Sequence, residues 1–148
     1  MQYIVFLVIA LIAGAVLPLQ TAINSELRNT VHSPYLAAMF SFLGGTILLI
    51  ALSLTMNHTI IPDRSAFTKP WWIWTGGALG VVLVLANVIL MPKIGSALTV
   101  GLLLAGQLIM AVLIDHFGWF NLPVHEISLP RIVGIVLILV GIFLVQRF

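Results

Sequence analysis

The chain has 148 residues, 61% hydrophobic and only 7% charged. A soluble domain carries about 25% charged residues, so this surface cannot be dressed for water and its solvent is lipid. Six basic against four acidic residues leave a net charge of +2, too few for a nucleic-acid surface, and the absence of cysteine excludes disulfides, thiolate chemistry and Cys-ligated metal.

A helix needs about 20 apolar residues to cross about 30 Å of hydrocarbon, and lipid offers backbone groups no partner. Five runs qualify, over about residues 3–27, 35–56, 71–91, 96–115 and 129–146. They predict an all-α membrane protein with five transmembrane helices in a single transmembrane domain, 1–148. The alternating pattern of an outer-membrane strand is missing. The first run lacks a positive flank and is longer than a signal-peptide core, so it reads as a retained span.

The first run contains GAVLPLQTAINSELR, residues 14–28. Ala13, Leu17, Gln20 and Asn24 share a face, with Gly14 and Pro18 beside it. Pro18 has no N–H, so the carbonyl near Gly14 loses its usual partner and the helix can kink or open there. That carbonyl, Gln20 and Asn24 place donors and acceptors at membrane depth. The bland alternative is a tolerated kink with amides that stabilise helix contacts. The co-occurrence of Pro, Gln and Asn favours a substrate site.

Ser33-Pro34 opens the second helix, in which Ala37, Ser41 and Gly44 share a face. Lys69-Pro70 opens the third, in which Gly76, Gly80, Leu83 and Asn87 align. Pro92-Lys93-Ile94-Gly95 is a short turn into the fourth, in which Ser96, Val100, Leu103 and Gln107 align and Gly101 and Ala105 line a neighbouring stripe. The glycines read as packing residues that let backbones approach closely. Asn87 and Gln107 have two readings, glue between helices or lining of a polar cavity, because an amide in hydrocarbon must be hydrogen-bonded. Trp71, Trp72 and Trp74, with Trp119 and Phe120, form an aromatic belt at one interface. Ser128 caps the fifth helix, with Pro130 in its first turn. Nothing polar lies between Arg131 and Gln146, and Gly134, Ile138, Gly141 and Val145 share a face, so this helix is assigned to dimer contact through Gly134 and Gly141.

Five spans put the two termini on opposite sides. The side of the N-terminus carries Arg64, Lys69 and Arg131; the other carries Arg28, Lys93 and Arg147. Lys/Arg bias sets orientation, and here there is none. Either weak cues select one orientation, or the chain inserts both ways and pairs with its own inverted copy. The tie and the shortness of the chain favour the second. Transporters use inverted repeats so that one site can face either side, and two antiparallel copies supply ten helices and that symmetry.

No charged residue lies in the middle of a span. The carboxylates Glu26, Asp63, Asp115 and Glu126 lie near helix ends or in loops; Glu26 and Asp115 are candidates for a coupling role, since in an inverted dimer Glu26 of one copy and Asp115 of the other face the same side. There is no nucleophile–base arrangement, metal-ligand spacing or phosphate loop, so neither an enzyme nor a cofactor or metal is expected.

The stretches GAVLPLQTAINSEL, SPYLAAMFSFLGGT, WWIWTGGALG, MPKIGSALTVGLLLAGQL and IDHFGWF resemble the YdcZ-like five-helix family of the drug/metabolite transporter superfamily over nearly the whole chain. The last three helices are also similar to the small multidrug resistance transporters. That similarity implies an antiparallel homodimer with the last helix as dimer contact. The buried glutamate of those multidrug transporters is replaced here, at the same depth, by Gln20 and Asn24, which argues against proton-coupled export of cationic drugs.

The combined expectation is a small-molecule exporter of the bacterial inner membrane. It works by alternating access as a dual-topology homodimer, and its partners are a second copy, the solute and the bilayer. The uncharged site between the copies is lined by Pro18, Gln20, Asn24, Asn87 and Gln107, and it suits a neutral or zwitterionic polar solute or an amphipath. The competing class is a non-transporting accessory or assembly subunit whose amides only hold helices together.

Overall fold

The computed structural model describes residues 2–148, with side chains from residue 3 onward. Five α-helices run through it: α1 (Gln2–Val31), α2 (Pro34–Met56), α3 (Gly76–Ile94), α4 (Ser96–Phe117) and α5 (Leu129–Arg147). Each is long and apolar enough to cross a membrane. The all-α, five-span architecture expected from hydropathy is therefore present.

Local chemistry explains where the helices stop. α1 continues to Val31, past its apolar run, because residues 25–31 contain no helix breaker and Arg28 in the last turn complements the helix dipole. His32 then takes a left-handed φ of 54° and ends it. Ser33 starts α2, its Oγ accepting the Leu36 N–H at 3.3 Å, with Pro34 in the first turn. The tryptophan cluster is not part of α3: Trp71–Trp74 form a 3-10 turn after Pro70, and the α-helix begins at Gly76. Pro92 sits inside the last turn of α3, which runs on to Ile94. Gly95, at φ 85°, is then the whole link to α4, a conformation that glycine adopts without steric cost. Ser128 occupies the N-cap position of α5 in extended conformation, but its hydroxyl makes no capping bond.

The chain forms two compact units, Met1–Ile89 and Leu90–Phe148. In the first, α1 packs along α2. Its buried residues are Thr21, Asn24, Ala37, Ala38 and Val88, which lie toward the end where α1 passes into α2. Gly80 of α3 faces the ring of Phe42, 3.5 Å from where a β-carbon would stand. In the second unit α4 packs on α5. Gly101 and Ala105 form a small-residue stripe on α4, and Ile142 of α5 fills the space over Gly101. Thr99, fully buried, donates its hydroxyl to the Gly95 carbonyl at 2.7 Å.

Candidate functional site

The polar residues of α1 fall into a helical pattern. Thr21, Asn24, Ser25 and Arg28 are spaced i, i+3, i+4, i+7 and therefore share one face. This is the face α1 turns inward. Thr21 is 6% and Asn24 5% exposed, and Ser25 and Arg28 are half-buried. Thr21 satisfies itself by donating to the Leu17 carbonyl at 2.9 Å, a bond back to its own helix. The Asn24 side chain makes no hydrogen bond among the described residues, and the buried Ser25 Oγ has no partner either. Arg28 donates from Nη1 to the carbonyl of Val88 at 3.2 Å. The Val88 carbonyl would ordinarily accept the N–H four residues on, but that residue is Pro92, which has none. The arginine of α1 thus takes a carbonyl that the proline of α3 leaves free.

The other expected site residues are placed as follows. Pro18 is half-buried on the edge of the inward face. Gln20 is exposed. At about 100° per residue it lies roughly 90° around α1 from the middle of the Thr21–Arg28 face. Asn87 is half-buried, and its Nδ2 donates to the Leu83 carbonyl of its own helix at 3.0 Å, leaving the amide oxygen unused. The first unit thus holds Pro18, Gln20, Asn24 and Asn87. Gln107 lies on α4 in the second unit, exposed, its side-chain amide without a hydrogen bond among the described residues.

Glu26 is exposed, and its Oε2 accepts the Asn29 amide at 3.4 Å. Asp115 is engaged differently: its carboxylate forms an ion pair with Arg131 at 3.3 Å, each side chain about one-third exposed. The pair belongs to a clasp that folds the 118–128 loop between α4 and α5. Arg131 Nη1 donates to the His125 carbonyl at 3.1 Å, the His125 N–H donates to the Asp115 carbonyl at 2.9 Å, and His116 Nδ1 accepts the Ile127 N–H at 3.2 Å. Gly118 closes α4 in the left-handed region, φ 61°. A β-carbon there would stand 2.7 Å from Val124 Cγ2, so only glycine fits without a shift. Gly134 and Gly141 are half-buried, and nothing lies within 4 Å of a β-carbon added at either. Among the described residues no group of three His, Asp or Glu gathers to hold a metal.

Three residues of the inward face, Thr21, Ser25 and Arg28, were not among the expected site residues. Their signal is the 3.6-residue polar period of TAINSELR, whereas Gln20 and Asn24 together mark a face about one residue off.

Five lipid-length helices carrying a buried, donor-rich polar face define an all-helical, multi-pass membrane protein. Residues 5–144 match the family described as "Putative inner membrane exporter, YdcZ", and the chain belongs to that family. It is similar to the inner membrane protein YdcZ of Escherichia coli (strain K12), 27% identical over 135 residues, which cover 91% of this chain and 90% of that one. No solved structure matches the chain. The resemblance drawn from the sequence motifs is thus borne out, and so is the inner-membrane location.

Proposed function

We propose that the protein is a small-molecule exporter that works by alternating access as an inverted homodimer, with a polar site formed by Pro18, Gln20, Asn24, Asn87 and Gln107 from the two copies. The observation that carries this is the unmet hydrogen bonding at membrane depth. Gln20 and Gln107 are exposed amides without a partner among the described residues, and Asn24 is a buried one. A polar group left unbonded in an apolar medium costs about 1–3 kcal/mol by mutational measures, so something polar must meet these amides. A second copy and a hydrated solute do so. Gly134 and Gly141, with open space beside them, offer α5 a close approach to the partner copy.

The test is solute counterflow in proteoliposomes, read beside in-membrane cross-linking. Gln20→Leu with Asn24→Leu is expected to abolish flux while the dimer persists. Loss of the dimer instead assigns the amides to helix packing and favours the accessory-subunit alternative. A C-terminal tag accessible from one side only removes the inverted arrangement.

A further inference from the structure

We infer that the Thr21–Arg28 face of α1 binds the carboxylate of a small amphipathic organic anion, whose apolar part occupies the groove between α2 and α3. This rests on the transport proposal and deepens it, since the bound group is the cargo's.

The face is rich in donors and lacks an anion. Asn24, 5% exposed, has an unused amide, and the shielded Ser25 hydroxyl is unused too. A guanidinium carries five N–H donors, and one bond, to Val88, is made by that of Arg28. No carboxylate neutralises it: the ion pair among the described residues is Asp115–Arg131. Glu26, two positions along α1, cannot share its face and is bonded to Asn29. A half-buried cation without a counter-ion, beside an unused amide and a shielded hydroxyl without an acceptor, is costly. An oxyanion resolves all of them at once through charge-assisted hydrogen bonds. A cation is repelled by Arg28, and a neutral solute leaves its charge unmet.

The apolar half has its own place. A cavity of about 410 Å³ lined by Tyr35, Ala38, Met39, Phe42, Val81 and Leu85 lies in the same unit. Ala38 lines this groove and is buried, as are Thr21 and Asn24 of the polar face in the same unit. A phospholipid phosphate shares the oxyanion chemistry. However, Asn24 sits about 6 Å, one helical turn, deeper than Arg28 and is almost fully enclosed, which favours a small carboxylate over a phosphodiester carrying two glycerol groups.

The experiment is thermal unfolding of the purified full-length protein in a phosphate-free maltoside detergent, titrated with sodium benzoate, benzamide or sodium chloride. Benzoate is expected to raise the Tm in a saturable manner, and neither benzamide nor chloride to do so. Asn24→Asp sets a carboxylate four residues before Arg28, which preserves the fold through an internal pair and is expected to abolish the benzoate shift. Arg28→Lys retains charge and a donor for Val88 but loses the planar fork, and is expected to weaken benzoate by about tenfold or more. An equal shift from benzamide, a benzoate shift that survives in Asn24→Asp, or no benzoate shift overturns the inference. A shift from phosphatidylglycerol with none from benzoate assigns the face to lipid and overturns it as well. Counterflow in proteoliposomes separates the two proposals. Flux of uncharged or cationic solutes with benzoate inert removes the carboxylate site alone, whereas benzoate binding without flux of any solute removes the transport role.

Discussion

Arg28 Nη1 donates to the Val88 carbonyl at 3.2 Å across 60 positions of sequence, and that carbonyl is the one Pro92 leaves without its helical donor. Two features that look unrelated in sequence, a basic residue in the last turn of α1 and a proline in the last turn of α3, meet in one interaction. It ties the end of α1 to α3 at the buried end of the first unit, beside the candidate site.

The pairing predicts a non-additive mutant cycle. Arg28→Met leaves a buried carbonyl unsatisfied and is expected to destabilise the protein by about 1–3 kcal/mol. Pro92→Ala restores an N–H for that carbonyl within α3. The double variant is expected to regain most of the loss, read as coupling in reversible denaturation in mixed micelles. Simple additivity would show that the two residues act separately.

Gly101 of α4 and the glycines of α5 are expected to behave in opposite ways. At Gly101 a β-carbon would fall 2.7 Å from Ile142 Cγ2 and 2.9 Å from Cγ1, so Gly101→Ala is expected to cost about 1–3 kcal/mol as overpacking. Ile142→Ala in the same chain should recover part of it. Gly134→Ala and Gly141→Ala meet open space and should leave the stability of the isolated chain unchanged. Should α5 be the dimer contact, Gly134→Leu with Gly141→Leu will dissociate the dimer without unfolding the protomer. Analytical ultracentrifugation in density-matched detergent reads this directly.

The clasp between α4 and α5 predicts a division of labour. Gly118→Ala forces a β-carbon at φ 61° against Val124 and is expected to disorder the 118–128 loop, raising amide exchange at His125 and Ile127. The Asp115–Arg131 pair is about one-third exposed, so screening keeps its contribution to about 1 kcal/mol at most. Asp115→Asn and Glu26→Gln, assayed separately for uptake across a pH gradient, test the coupling role. Unchanged coupling in both variants removes these carboxylates from the mechanism.

Asp63 supplies a pH signature in the loop between α2 and α3. The Ser65 backbone N–H, bonded at 2.8 Å, and then the Ser65 side chain hold its carboxyl below the ordinary value of 3.8. A lowered folded pKa means the ionised form is favoured by the fold. Its contribution is therefore complete above the unfolded value and is lost as pH falls through the lowered one. The 3-10 turn Arg64–Thr68 should stay ordered at neutral pH and loosen only below about pH 4, near the ordinary aspartate pKa. Asp63→Ala should loosen it at every pH. The protection factor of the Ser65 amide, which corrects its exchange for the intrinsic rate at each pH, measures both; a protection factor that does not fall below about pH 4 would contradict the capping role.

Hydropathy and breakers decided the number, type and approximate place of the helices, because lipid allows a long apolar run one backbone solution. Ser33-Pro34, Pro70 and Gly95 punctuate the chain through local sterics alone, so their effects are legible residue by residue. The family was legible for the same reason, since its motifs are contiguous stretches. Only tertiary structure decided which face of each helix is inward. Gln20 and Asn24 look equivalent by periodicity, yet Asn24 is enclosed and Gln20 is not, because the packing of α1 on α2 sets the rotation of α1. The same holds for Arg28. Its sequence announces an interfacial charge ending a helix, and only the approach of α3 presents it with the Val88 carbonyl. The reason is physical: local conformation depends on neighbours in the chain, whereas the satisfaction of a polar group in lipid depends on which groups, distant in sequence, come within hydrogen-bonding reach.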